Sequence, residues 1–102
     1  MTNEQAMDWE GVRCFVVVAR RGSLSEAADE LGLSIPTISR RIDGLEAQLG
    51  LHLLHRGPRG ARLTEAGHAI LQVAEPGARQ LSQIARRARA LQEGPNLPSV
   101  RI

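Results

Sequence analysis

Lysine is missing altogether from this 102-residue chain, and cysteine occurs once. All thirteen basic residues are therefore Arg, which either suits bidentate contacts to guanine and phosphate or reflects a compositional bias of the source genome. The single Cys14 has no partner for an internal disulfide, which fits a reducing compartment. No stretch approaches the roughly eighteen consecutive apolar residues of a membrane span. The N-terminus has no basic region leading into an apolar one, so no signal peptide is expected and the cytoplasm is. Metal chemistry finds little purchase. His52 and His55 form an H-x-x-H pair, but neither Cys14 nor His68 is placed by a local motif to complete a site. Cys14 has no base near it in sequence to make it a nucleophile. Neither an enzyme nor a cofactor is expected.

What remains is a chain with 42% apolar residues, enough for one small domain with a modest core. Its net charge of +2 is unevenly spread. Residues 1–33 hold three Arg against six acidic residues, residues 34–62 five against two, and residues 63–102 five against three. Positive charge thus collects in the middle third, as an electrostatic footprint on phosphate requires.

The middle third also carries the strongest pattern. Ala27-Ala28-Asp29-Glu30-Leu31-Gly32-Leu33 leads into Ser34-Ile35-Pro36-Thr37-Ile38-Ser39-Arg40-Arg41-Ile42, which reads as two short helices about a glycine turn, a helix-turn-helix. Ala28 lets the helices approach, and Ile38, Ile42, Leu45 and Leu49 form the buried stripe of the second. Pro36, Ser39 and Arg40 then lie on or beside the opposite face. Ser34 caps this helix, with Pro36 tolerated in its first turn. The helix before it spans Ser25 to Leu31, or begins earlier with Ser23 as the cap in a Ser23-x-x-Glu26 box. A first helix covers Met7 to Arg21 and stops at Gly22. On it Trp9, Val12, Phe15, Val16 and Ala19 are expected to face the core, with Cys14 and Val18 on a second side. Beyond Gly50, the apolar Leu51 to Arg56, the turn Gly57-Pro58-Arg59-Gly60 and the returning Ala61-Arg62-Leu63 predict a two-stranded wing. Thr64 caps a last helix running to about Gln92.

Gly22-Ser23-Leu24, Ala27-Ala28, Ser34-x-Pro36, Ser39-Arg40, Leu45-Glu46, Leu49-Gly50, Arg56 and Leu63-Thr64-Glu65-Ala66-Gly67, in this order and spacing, resemble the DNA-binding domain of LysR-type transcriptional regulators. The resemblance runs from Met7 to about Leu91. It implies a mainly α fold, a winged helix-turn-helix of three helices plus a two-stranded β wing, followed by a long dimerisation helix. The corresponding divisions are a tail at 1–6, the DNA-binding domain at 7–64, a linker helix at 65–92, and at 93–102 a hinge with the start of an effector-binding domain lying beyond this chain. A small-molecule effector would act only through that further domain. Two departures stand out. Ile35 replaces the family's usual Gln, exchanging an amide contact to adenine for an apolar contact to a thymine methyl. Leu54 stands where Phe is common.

In this reading double-stranded DNA is the partner. Arg40 addresses guanine from the N-terminal half of the second helix of the motif. Ser39 and Thr37 reach phosphate or a base edge, or else bond a helix carbonyl. Ser34 adds a phosphate site at the helix N-terminus, Ile35 and Pro36 complete the reading face, and Arg59 at the wing tip enters the minor groove. Arg56 clamps a phosphate, and Arg62 resembles it.

The last helix places Ile70, Ala74, Gly77, Leu81, Ile84, Ala88 and Leu91 at alternating spacings of four and three, a heptad seam that predicts a homodimer. Val18 is expected to meet the partner's long helix. Pro76-Gly77 predicts a kink or break between Val73 and Gly77. Another winged-helix regulator, or a dimeric protein-interaction module without specific DNA binding, is the alternative.

Overall fold

The structure, a computed structural model, describes residues 8–94. The expected tail, Met7 and residues 95–102 of the expected hinge and domain start lie outside the described residues. Four helices and one hairpin follow in the order α1 Trp9–Arg21, α2 Leu24–Leu31, α3 Ile35–Leu49, β1 Leu54–Gly57, β2 Gly60–Leu63 and α4 Glu65–Glu93.

Each helix begins where a short polar side chain meets an orphan amide. Asp8 accepts from the Glu10 amide at 3.0 Å, Ser23 from Glu26 at 3.0 Å, Ser34 from Thr37 at 3.2 Å and Thr64 from Gly67 at 2.8 Å. Of the two starts open for α2, the structure takes the one capped by Ser23. The core joins α1, α2, α3 and the hairpin, with Phe15, Ile38, Ile42, Leu45, Leu53 and Leu54 as its largest fully buried side chains. The α3 stripe is as expected, Leu49 packing at its edge. Arg20 and Arg21 close on Glu30 at 3.2 and 2.9 Å, tying the end of α1 to α2. The hydrogen bond from Arg21 holds the Glu30 carboxyl below the usual carboxylate range.

The faces of α1 differ from expectation. Cys14 and Val18 are wholly buried in the core, and Trp9 is 54% exposed. Val18 therefore has no surface to offer a partner, and burial pushes the Cys14 thiol up from its ordinary pKa. The reason is position: α1 touches α2, α3, α4 and β2, and a helix packed on several sides is apolar most of the way round. A single stripe cannot orient it.

The hairpin is antiparallel, pairing Leu54 with Leu63, His55 with Arg62, Arg56 with Ala61 and Gly57 with Gly60. Its inner edge docks on the α1–α2 turn through the Ala61 amide, which donates to the Gly22 carbonyl at 3.0 Å. Gly60 makes this approach feasible, since its φ is +116° and a Cβ there would lie 2.5 Å from the Gly22 carbonyl oxygen.

Helix α4 runs unbroken through Pro76, so of the expected kink or break, the break does not occur. Both flanks of the proline are held by the rest of the domain. Ala66, Ile70, Leu71 and Ala74 pack on the core, and Ala78, Leu81 and Ala85 line a hollow with Trp9 and Val12 of α1. Gln72, whose carbonyl loses its usual donor, is exposed to water that can replace it. The same packing corrects the seam. Ile70 and Ala74 are engaged within the chain, whereas Ile84 and Leu91 remain 64% and 59% exposed, with Ala88 exposed beside them. Leu81, 42% exposed, stays on the surface as well and borders that hollow. Val73, absent from the expected seam, is 73% exposed and precedes Gly77, Ile84 and Leu91 by 4, 11 and 18 residues on one helical stripe.

Candidate nucleic-acid interface

Helix α3 turns its apolar stripe into the core, which forces the N-terminal half of its other side outward. Ile35, Pro36 and Arg40 are exposed there, and Thr37 and Ser39 are half-buried. Ser34 also donates from Oγ to Thr37 Oγ1 at 2.9 Å, so those two hydroxyls are joined to each other at the helix start. Arg40 makes no hydrogen bond or ion pair among the described residues, and the same holds for Arg59 and Arg62. An exposed guanidinium with no partner is available to an anion or a base edge.

On the wing, the pleat sorts the side chains. Leu54 and Ala61 point inward and are buried, and His55 and Arg62, paired across the strands, are exposed on the other face. Arg59 occupies the two-residue tip with Pro58. His52 and His55 lie edge to face with ring centroids 6.4 Å apart. Among the described residues no group of three His, Cys, Asp or Glu is placed to hold a metal.

Arg56 does not stand as expected. It shares the inward face of β1 with Leu54, and its guanidinium is committed to α3: Nη1 donates to Ser39 Oγ at 3.1 Å, and Nη2 lies 2.9 Å from Asp43 Oδ1 and 3.3 Å from Glu46 Oε1. Two carboxylates offset its charge, so it is not a free phosphate clamp.

Glu46 is the residue that sequence reasoning passed over. Its side chain is 11% exposed, and besides Arg56 it accepts from the amides of Leu53 at 2.7 Å and Leu54 at 3.3 Å. It thereby binds the segment entering the wing to α3. The signal was there in two forms: Ser39, Asp43 and Glu46 fall at i, i+4 and i+7, one helical face, and Arg56 falls two residues after inward Leu54. Gly11 was missed as well. A Cβ on it would lie 2.9 Å from the Arg41 carbonyl oxygen, so its small size sets how closely α1 crosses α3.

Residues 9–68 match the family model described as bacterial regulatory helix-turn-helix protein, lysR family. The HTH-type transcriptional regulator TcbR of Pseudomonas sp. strain P51 is 40% identical over 82 residues, covering 80% of this chain and 26% of that protein. This chain thus spans about a quarter of that relative's length. Among solved structures, the CbnR DBD–DNA complex superimposes with a TM-score of 0.72 at 38% identity, covering 85% of this chain and all of that one. The BenM DBD bound to benA site 1 DNA gives 0.71 at 34% identity, covering 83% and 99%. The chain belongs to the LysR family of bacterial regulatory helix-turn-helix proteins.

Proposed function

We propose that this chain is the sequence-specific, duplex-DNA-binding part of a LysR-type transcriptional regulator. The observation that carries it is the exposed N-terminal half of α3, where an unpartnered Arg40 stands beside Ile35, Pro36 and Ser39 on a helix capped and packed from behind. Arg40 reads a base pair, Ile35 packs on a thymine methyl, and the capped helix start, with Ser34 and Thr37, sits against a phosphate. Arg59 at the wing tip enters the minor groove, and Arg62 contacts the backbone. The named relatives are transcriptional regulators or DNA complexes, which supports regulation rather than catalysis. Among the described residues no helix is long and apolar enough to cross a membrane, and a DNA-binding regulator works in the cytoplasm. A small-molecule effector would act through a further domain.

Site selection from a random duplex library tests the reading. Arg40→Ala should lose about 1–3 kcal/mol of discrimination at one base pair. Arg59→Ala should weaken all duplexes and flatten the salt dependence by about one unit. Equal losses on selected and random DNA for Arg40→Ala would remove its base-reading role.

The exposed stripe of α4 supports a homodimer, whose two-fold symmetry would set two α3 helices about 34 Å apart on DNA. Ile84 and Leu91 are its centre and Val73 and Ala88 its margins. In sedimentation, Ile84→Asp and Leu91→Asp should each shift the protein toward monomer, because a carboxylate in an apolar seam is left without a partner. A dimer that survives both must be held elsewhere.

A further inference from the structure

We propose that Arg56 is a positioning residue for sequence reading: it takes one lone pair of the Ser39 hydroxyl and holds that oxygen in place on the outward half of α3, so that Ser39 contacts the edge of one base pair. This rests on the DNA-binding reading of α3. A free serine hydroxyl both donates and accepts, and rotates to suit whatever it meets. Guanidinium has donors only. At the 3.1 Å contact between Arg56 Nη1 and Ser39 Oγ the serine must therefore accept. Its own proton finds no acceptor among the described residues, and it sits next to the unpartnered Arg40 on the outward half of α3.

The rest of the Arg56 fork explains why the contact is held. Asp43 and Glu46 both take Nη2, which leaves Nη1 to Ser39. Glu46 is itself fixed by the Leu53 and Leu54 amides. The wing base thus holds the position of a hydroxyl oxygen on the reading helix. In the major groove a hydroxyl so held can donate to guanine O6 and N7, adenine N7 or thymine O4, or accept with its second lone pair from the amino groups of cytosine and adenine. Ser39, held in one place, should contribute to preference at one base pair only.

Site selection and titration with wild type, Ser39→Ala, Arg56→Lys and the double variant decide it. Lysine keeps the charge but not the planar fork. Ser39→Ala and Arg56→Lys should each reduce preference at the same base pair by about fivefold, the worth of one net hydrogen bond. The double variant should lose no more than either single one. The position read by Arg40 and the salt dependence should stay as in wild type. Arg56→Lys behaving like wild type would mark the residue as a charge alone and overturn the proposal. So would additive losses in the double variant, an unchanged selected motif for Ser39→Ala, or an Arg56→Lys chain that loses preference at every position, which marks a merely structural role. A wild-type chain that selects no site at all would overturn the DNA reading, and this inference with it.

Discussion

Gly67→Ala should lower the thermal midpoint of the domain by about 15 °C, a large effect for one added methyl group. A Cβ at Gly67 would be driven into the carbonyl oxygen of Leu53 and would also stand 3.1 Å from Leu63 Cδ2. The obstacle is backbone, which cannot rotate aside. It also belongs to a knot of hydrogen bonds: Thr64 Oγ1 accepts from the Gly67 amide at 2.8 Å and donates to the His52 carbonyl at 2.6 Å, while the Thr64 amide donates to that same Leu53 carbonyl at 3.0 Å. Moving α4 away to admit the methyl therefore stretches the cap of α4 and its seat on the segment before the wing together. Overpacking of this kind costs about 1–3 kcal/mol and sometimes more. A value near 3 kcal/mol, at roughly 4–8 °C per kcal/mol for a domain of this size, gives the stated shift. Gly44→Ala is the matched control. Gly44 is exposed within α3 with nothing within 4 Å of its added Cβ, so the change should stabilise by about 0.5–1 kcal/mol through helix propensity. Thermal unfolding followed by circular dichroism measures both. A Gly67→Ala midpoint within about 3 °C of wild type, well under the shift of one kcal/mol, would show that α4 can slide on Leu53 without cost.

The parts of the fold that are legible in the sequence are those fixed by chemistry local to the chain. Ser23, Ser34 and Thr64 can be read as caps because a short hydroxyl before a helical pattern has few other uses, and each accepts the expected amide. The α3 stripe is legible because α3 has one buried side. The orientation of α1 is not, since four elements surround it and every residue from Gly11 to Val18 except Arg13 is buried. Its exposed polar stripe, Glu10, Arg13 and Arg20, is narrow, so period shows which side meets water but not how the wide apolar remainder is divided among its neighbours. Gly67 could be read as part of a motif but not explained, because what it avoids is the carbonyl of Leu53, fourteen residues earlier. The same holds for charge. An arginine on a basic wing reads as a phosphate ligand until its neighbours across space are known, and for Arg56 those neighbours are two carboxylates on another helix. The break expected at Pro76 does not occur for a related reason: the proline penalty is a local quantity, whereas α4 packs on the core before it and runs beside α1 after it.

Glu46→Ala should cost about 2–4 kcal/mol of stability and should also weaken binding to every duplex. Hydrogen bonds to a charged acceptor contribute about 1.5–3 kcal/mol each in mutational series, and effects within one network are not additive. Glu46 accepts from two backbone amides and one guanidinium, at a side chain nearly closed off from solvent. Alanine leaves the Leu53 and Leu54 amides without their acceptor next to two leucines that are themselves buried. Arg56 would keep Asp43 and Ser39, but the segment carrying the wing would no longer be tied to α3. The hairpin would then sample positions in which Arg59 cannot reach DNA, and affinity would fall even at temperatures where α1, α2 and α3 remain folded. Glu46→Gln separates the two parts of this argument. Its carbonyl oxygen can still accept from the amides, while its NH2 group cannot accept from Arg56, so it should show about half the stability loss. Chemical denaturation gives the stabilities, and titration of random duplex well below the unfolding midpoint gives the affinities. If Glu46→Ala unfolds at the wild-type denaturant concentration, the carboxylate is not what holds the wing, and the Ala61 to Gly22 hydrogen bond on the opposite edge of the hairpin becomes the principal tether.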